Sequence, residues 1–99
     1  MKKINVVYDG CMDDVDIIQV PDVVAENIED ITQEFFDWMS STYDHDFWKM
    51  DNKGNQYLEC ETEAFIDWIN REFSGICNEN ALIILQHTKY NKEYPSAEF

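Results

Sequence analysis

The spacing of apolar positions changes along this chain, and each spacing is typical of a different element. Between residues 22 and 41, apolar side chains recur every three or four positions, at Val24, Ile28, Ile31, Phe35, Trp38 and Met39. This spacing places them on one face of a helix, so we predict an amphipathic helix over residues 22–41. Pro21 stands just before it, where proline suits the first turn of a helix.

A second helix is predicted to begin near Thr62, a residue type that suits the N-cap position. It extends to about Phe73, and Gly75 suits the position just after its end. Trp68 is expected at the margin of its core face. The core face itself is expected to carry the apolar residues Phe65, Ile66, Ile69 and Phe73.

Short β-branched and apolar runs predict strands at residues 4–8, 15–20 and 81–85. The first two are expected to form a hairpin that turns at Asp9-Gly10 and carries an acidic loop, Asp13-Asp14, at its tip. The run at 81–85 is continuously apolar, which indicates a buried strand.

A second hairpin is predicted where residues 47–51 and 55–60 flank a turn, with Gly54 at a positive φ. The predicted order is therefore ββαββαβ, followed by a polar and aromatic tail over residues 89–99 that we expect to be ordered. This order indicates a single α+β domain over residues 1–99, with two helices packed on a mostly antiparallel sheet.

Charge is the most unusual property of the chain, because the sequence contains 21 acidic residues and only 7 basic ones, which gives a net charge of −14. Such a surface repels nucleic acid and anionic membranes and attracts basic proteins. We therefore expect a basic protein partner, no direct nucleic-acid binding and no membrane binding. The chain is expected to be a monomer or a homodimer.

The acidic residues concentrate on the polar side of the first predicted helix, which contains no Lys or Arg. Their spacing gives roughly one charge per 4 Å of helix, close to the one per 3.4 Å of a single DNA strand. Two interpretations remain open, a solvated face that keeps the protein soluble and a dedicated electrostatic interface. The candidate partner-binding residues on this helix are Asp22, Glu26, Glu29, Asp30 and Asp37.

A second acidic cluster comprises Asp9, Asp13, Asp14 and Asp16. It does not follow the calcium-loop pattern of the EF-hand, so a solvated turn is favoured over a metal site. We add Asp13 and Asp14 to the candidate partner-binding residues, since they would extend the same negative surface.

Other chemistry-bearing residues do not form a recognisable catalytic or metal motif. Asp44-His45-Asp46 is interpreted as a loop at a helix end, so neither a metal nor a cofactor is expected. Cys11, Cys60 and Cys77 are odd in number and lack Cys-x-x-Cys spacing, which favours reduced thiols and a cytoplasmic location.

Two aromatic residues stand apart from the predicted core. Trp48 is a candidate anchor for a partner, because an exposed aromatic beside acidic residues suits a protein interface. Phe36 lies off the apolar face of its helix, and we expect the tail or the second hairpin to cover it.

The leading hypothesis is a non-enzymatic inhibitor whose carboxylates imitate phosphates in a basic nucleic-acid-binding groove, by analogy with anti-restriction and anti-CRISPR proteins. The alternative is an immunity or adaptor module whose partner is recognised mainly by shape. A small hydrolase that uses paired carboxylates such as Asp13 and Asp16 is a third hypothesis. Salt separates the first two, since phosphate imitation weakens steeply with ionic strength.

Overall fold

The computed structural model describes residues 1–42, 47–58, 61–77 and 80–99, with side chains everywhere except at 74–77. Its elements follow one another in this order: β1 (Lys2–Tyr8), β2 (Cys11–Val20), α1 (Asp22–Glu26), α2 (Ile28–Ser41), β3 (Trp48–Met50), β4 (Gln56–Leu58), α3 (Thr62–Cys77), β5 (Leu82–Thr88) and β6 (Ser96–Glu98). The α+β class predicted from the sequence is confirmed.

Four of the strands form the main sheet, in the order β5-β2-β1-β6, and β3 pairs with β4 in a separate hairpin. The pairings of β1 with β2 and of β2 with β5 are antiparallel, as expected, whereas β6 lies parallel to β1. The tail therefore contributes an edge strand that the sequence analysis did not predict.

The core lies between one face of the main sheet and the helices. Alternate residues of β1 and β2, such as Ile4 and Ile18, are fully buried there against α2 and α3. A smaller cluster on the other face contains Val7, Val15 and Ile17, and it is covered in part by Tyr90 and Tyr94. Both faces of the central strands are thus apolar, which accounts for the nearly continuous apolar runs in their sequences.

The continuous helix predicted over residues 22–41 is interrupted at Asn27, which has φ −122° and ψ 34°. Its side-chain Nδ2 donates to the Val23 carbonyl at 2.9 Å. Asn competes for local backbone groups in this way and is therefore a poor residue for a helix interior. As a result, Glu29 and Asp30 lie in the first turn of a new helix, where the helix dipole favours negative charge.

Three further predictions about elements are wrong. Asp13 and Asp14 lie within β2, so they do not form a loop at the hairpin tip; only the turn at Asp9-Gly10 is confirmed. Gly75 lies inside α3, which continues to Cys77. Thr62 is the first residue of α3, and its hydroxyl donates to Asp16 Oδ2 at 2.5 Å instead of capping the helix.

The run at 81–85 is also not a buried strand. It belongs to the edge strand β5, and Leu82, Ile84 and Leu85 are 47%, 37% and 54% exposed. The register of β5 against β2 shifts twice, which marks bulges on this strand. His87 lies at one of them with a φ of 54°, and its backbone N–H donates to the Asp16 side chain.

Aromatic side chains fill the space between α2, α3 and the end of the chain. Phe35 is fully buried, and its ring centroid lies 5.0 Å from that of Phe65 and 5.6 Å from that of Phe99. Trp68 is 4% exposed and belongs to the core, while Ile66 is only partly buried; the sequence analysis had placed these two the other way round.

Candidate protein-binding groove

A groove runs between helices α1 and α2 on one side and the segment from Pro95 to Glu98 on the other. It consists of two adjoining concavities of about 500 Å³ and about 370 Å³, which share Ile28, Glu29 and Pro95 in their walls. We call it the α2–β6 groove. Its carboxylates come from both sides, namely Glu26, Glu29, Asp30 and Glu98.

The wall formed by residues 91–98 is held in place by Asn5, a fully buried side chain in the middle of β1. Its Nδ2 donates to the carbonyls of Asn91 at 2.9 Å and Tyr94 at 3.1 Å, and its Oδ1 accepts the Asn91 N–H at 3.0 Å. The sequence analysis did not single out Asn5. A lone asparagine inside a β-branched run was the available signal, because such a residue needs hydrogen-bond partners when it is buried.

Phe36 gives the groove an apolar part. Its ring lies 5.3 Å from that of Phe99, edge to face, and the side chain remains half-buried along the groove. The tail or the second hairpin was expected to cover Phe36, and the tail does so in part. Ile28 adds a second apolar side chain to the lining. The groove thus combines apolar contact area with negative charge at its rim.

Two of the predicted partner-binding carboxylates are already paired with cations, from Met1 and Lys2. The N-terminal ammonium lies 3.0 Å from Asp22 Oδ1, and the hydrogen bond between them lowers the pKa of that carboxyl. Lys2 Nζ lies 3.3 Å from Glu26 Oε1. Both pairs are exposed, so each contributes little stability.

The remaining groove carboxylates have no such partner among the described residues. Glu29, Asp30 and Glu98 are exposed, and the described parts of the chain contain no ion pair to any of them. Asp37 lies further along α2, where its carboxylate accepts a hydrogen bond from Gln33 at 3.0 Å. Glu34 is also exposed on this helix, and the sequence analysis did not include it.

The other predicted partner-binding residues lie outside the groove. Asp13 and Asp14 are exposed on β2. Trp48 is half-buried in the β3–β4 hairpin, and its indole N–H donates to the Thr42 carbonyl at 2.8 Å. The most exposed apolar side chains of that hairpin are Met50 and Tyr57. The turn of this hairpin has Gly54 at φ 83°, as predicted.

A third concavity, of about 610 Å³, lies apart from the groove. It is lined by Tyr8, Cys11, Asp14, Asp16, Leu58, Glu61, Glu63 and His87. Asp16 is 7% exposed, and its two oxygens accept the Thr62 hydroxyl and the His87 N–H, so this carboxylate ties both α3 and β5 to β2. Asp13, the partner assumed in the hydrolase hypothesis, is not among the lining residues.

Thr62 also connects Asp16 to Tyr8, because its backbone N–H donates to the Tyr8 hydroxyl at 2.6 Å. Burial raises the pKa of Tyr8 above its ordinary value, so this hydroxyl stays protonated over the physiological range. The Tyr8 hydroxyl therefore accepts a hydrogen bond from one of the backbone N–H groups that have no intrahelical partner at the beginning of a helix.

The Asp14–His87 pair gives a pH-dependent prediction. Asp14 Oδ1 lies 2.9 Å from His87 Nδ1, and this hydrogen bond raises the pKa of His87 above its ordinary value of 6.5. The pair's stabilisation is therefore complete below the ordinary value and is lost as pH rises through the raised pKa. Asp14→Asn should lower the His87 pKa in an NMR titration, while Asp13→Asn leaves it unchanged. An unaltered His87 pKa in Asp14→Asn would contradict the pairing.

Among the described residues, no group of three or more His, Cys, Asp and Glu side chains is arranged to hold a metal ion. Cys11 is an exposed free thiol. The motif Asp44-His45-Asp46 and Cys60 lie outside the described residues, as does the side chain of Cys77.

Comparison with family models, curated proteins and solved structures finds no match to this chain. None of the helices in the described ranges combines the length and the apolar content that crossing a lipid bilayer requires.

Proposed function

We propose that the protein is a non-enzymatic binding module that takes a basic segment of another protein into the α2–β6 groove. The observation that carries this proposal is the combination found there. A concave surface has apolar side chains in its lining, and the carboxylates of Glu29, Asp30 and Glu98 form no ion pair within the described ranges.

The groove favours binding of a segment over imitation of a whole nucleic-acid strand. Imitation of phosphates needs a regular row of carboxylates that are free to bind. The helix is interrupted at Asn27, however, and the carboxylates of Asp22 and Glu26 already form ion pairs. An inhibitory function is still part of the proposal. If the partner also binds nucleic acid through this basic segment, binding of the segment in the groove prevents the partner from binding nucleic acid.

The charge of the chain also bears on the setting in which it acts. At −14, two copies repel each other over their whole surfaces, so we propose a monomer that meets a basic partner of a different sequence. The exposed free thiol of Cys11 suits a reducing compartment such as the cytoplasm.

A synthetic heptapeptide of alternating lysine and valine, blocked at both ends, is a suitable probe for the groove. In NMR titrations we expect the largest amide shifts at residues 26–36 and 95–98. We expect the Kd to rise at least about tenfold between about 0.1 M and about 1 M salt, because the Debye length shortens from about 10 Å to about 3 Å.

A matched pair of variants isolates the groove from the general charge. The groove variant is Glu29→Gln, Asp30→Asn and Glu98→Gln, and the control is Asp13→Asn, Asp67→Asn and Glu72→Gln. Each removes three charges, which takes −14 to −11. The groove variant should bind the peptide at least about tenfold more weakly than the control, since local contacts exceed screened long-range ones. Equal affinity of the two variants would exclude the groove as the site.

A further inference from the structure

The outer edge of β6 carries backbone groups that point away from the sheet. The Pro95 carbonyl accepts the Asn5 N–H at 2.9 Å, and the Phe99 N–H donates to the Val7 carbonyl at 2.8 Å. In a parallel pair, alternate residues direct their N–H and C=O groups to the same neighbour. Residues 95, 97 and 99 therefore face β1, and the N–H and C=O groups of Ser96 and Glu98 face outward.

The outward backbone groups of Ser96 and Glu98 lie along the α2–β6 groove. Ser96 and Glu98 both line it, opposite Thr32, Gln33 and Phe36 of α2. β6 is the last strand of the main sheet, and the described ranges contain no backbone hydrogen bond to the outward groups of Ser96 or Glu98. An exposed edge of this kind is a template for pairing with another strand.

The opposite edge of the sheet is less suited to such pairing. Strand β5 carries two register shifts, at which its backbone departs from the regular ladder. Bulges of this kind twist an edge away from neighbours and hinder pairing. The three paired positions of β6 show no register shift. The regular edge is thus the one beside the acidic groove.

We infer that the partner's basic segment binds as an added strand on the outer edge of β6. This inference rests on the proposed function and specifies its mode: an extended segment whose backbone bonds to Ser96 and Glu98. Charge complementarity identifies the occupant, because Lys or Arg side chains of the segment suit the negative rim that Glu29, Asp30 and Glu98 form. Successive side chains of an added strand point to opposite faces of the sheet. One set therefore lies on the side of α2, as the buried Ala97 does, and the other lies on the side of Val7 and Glu98.

N-methylated forms of the lysine–valine peptide test this mode without any change in charge. One form is methylated at every lysine amide and the other at every valine amide. If the peptide binds as an added strand, either its lysines or its valines direct their backbone N–H groups toward β6, and the other residue type directs them away. We therefore expect one methylated peptide to bind at least about tenfold more weakly than the parent, because it can no longer donate hydrogen bonds to the carbonyls of Ser96 and Glu98. The other should bind within about threefold of the parent.

A variant pair tests the same mode from the side of the protein. Ser96→Pro removes an outward N–H and no ladder bond to β1, a position at which edge strands tolerate proline. Ser96→Ala is the matched control, since both variants lose the contact of the Ser96 hydroxyl with Tyr90 but only proline removes the donor. We expect the Ser96→Pro protein to bind the parent peptide at least about fivefold more weakly than Ser96→Ala.

The outcomes separate this inference from the proposed function. Equal affinity of all three peptides, or an equal loss in both methylated forms, overturns strand addition. If binding still depends on Glu29, Asp30 and Glu98 in that case, the proposed function stands. If the parent peptide binds without any dependence on those carboxylates, or does not bind, both are overturned. The methylated peptides are tested on the unaltered protein, so the result does not depend on the folding of Ser96→Pro.

Discussion

Replacement of Phe35 by alanine is expected to lower the free energy of unfolding by about 4 kcal/mol. Phe35 is fully buried where α2, α3 and the end of the chain meet, with ring centroids of Phe65, Trp68 and Phe99 within 5.6 Å. Its removal leaves a cavity lined by rigid aromatic rings, which collapse poorly. Since the total stability of a domain is about 5–15 kcal/mol, the loss is large.

Urea denaturation followed by tryptophan fluorescence measures this effect. Phe36→Ala is the comparison, because the neighbouring phenylalanine is only half-buried and should cost about 1–2 kcal/mol. A loss below about 1 kcal/mol for Phe35→Ala would contradict the central position of this residue in the core.

Asn5→Ala is expected to cost about 3 kcal/mol and to weaken peptide binding as well. The substitution leaves the Asn91 N–H and the carbonyls of Asn91 and Tyr94 without the side-chain partner that they now have. These residues lead directly into Pro95 and β6, which form one wall of the groove. We therefore expect the peptide Kd to rise at least about fivefold under conditions in which the variant remains folded.

The control for this prediction is Asn55→Ala. Asn55 is exposed, and its side chain donates only to Asp51, at 3.2 Å, in the described residues. Its replacement should cost less than about 1 kcal/mol and leave the peptide Kd unchanged. Equal costs for the two variants would show that Asn5 has no special part in anchoring residues 91–95.

Local patterns were sufficient to predict most of the elements. The helical spacing from Val24 to Met39 buries Val24, Phe35 and Met39 as expected, because amphipathic periodicity depends only on nearby residues. The turn at Gly54 follows for the same reason, since the residue type that tolerates a positive φ is visible in the sequence.

Features that depend on distant residues were not predicted. The segment before Phe99 has no strand pattern, yet it becomes β6 because β1 offers an open edge and Asn5 holds the preceding loop. The apolar run of β5 indicated burial, whereas its exposure follows from its position at the edge of the sheet. Strand order is decided by such non-local contacts.

The same limit applies to the candidate site. The sequence located the carboxylates of the first predicted helix, and Glu29 and Asp30 do line the groove. The cations opposite Asp22 and Glu26 come from Met1 and Lys2, and the other wall of the groove comes from residues 95–98. Neither can be recognised from the sequence of the helix alone. Asp13, Asp14 and Trp48 were grouped with these residues by type, and the structure places them outside the groove.

The most direct measurement of the central claim is a charge swap. In the groove variant, lysine replaces Glu29, Asp30 and Glu98. In the control, lysine replaces Asp13, Asp67 and Glu72. Each replacement adds two charges, so both proteins change from −14 to −8. Calorimetric titration then compares the lysine–valine peptide with a glutamate–valine peptide of the same length.

If the α2–β6 groove binds basic segments, the groove variant loses at least about a hundredfold in affinity for the lysine peptide, as opposite-charge contacts become like-charge contacts. It also gains affinity for the glutamate peptide, while the control keeps the original preference. Unchanged preference in the groove variant, or the same change in both proteins, would contradict the claim that this groove is the binding site.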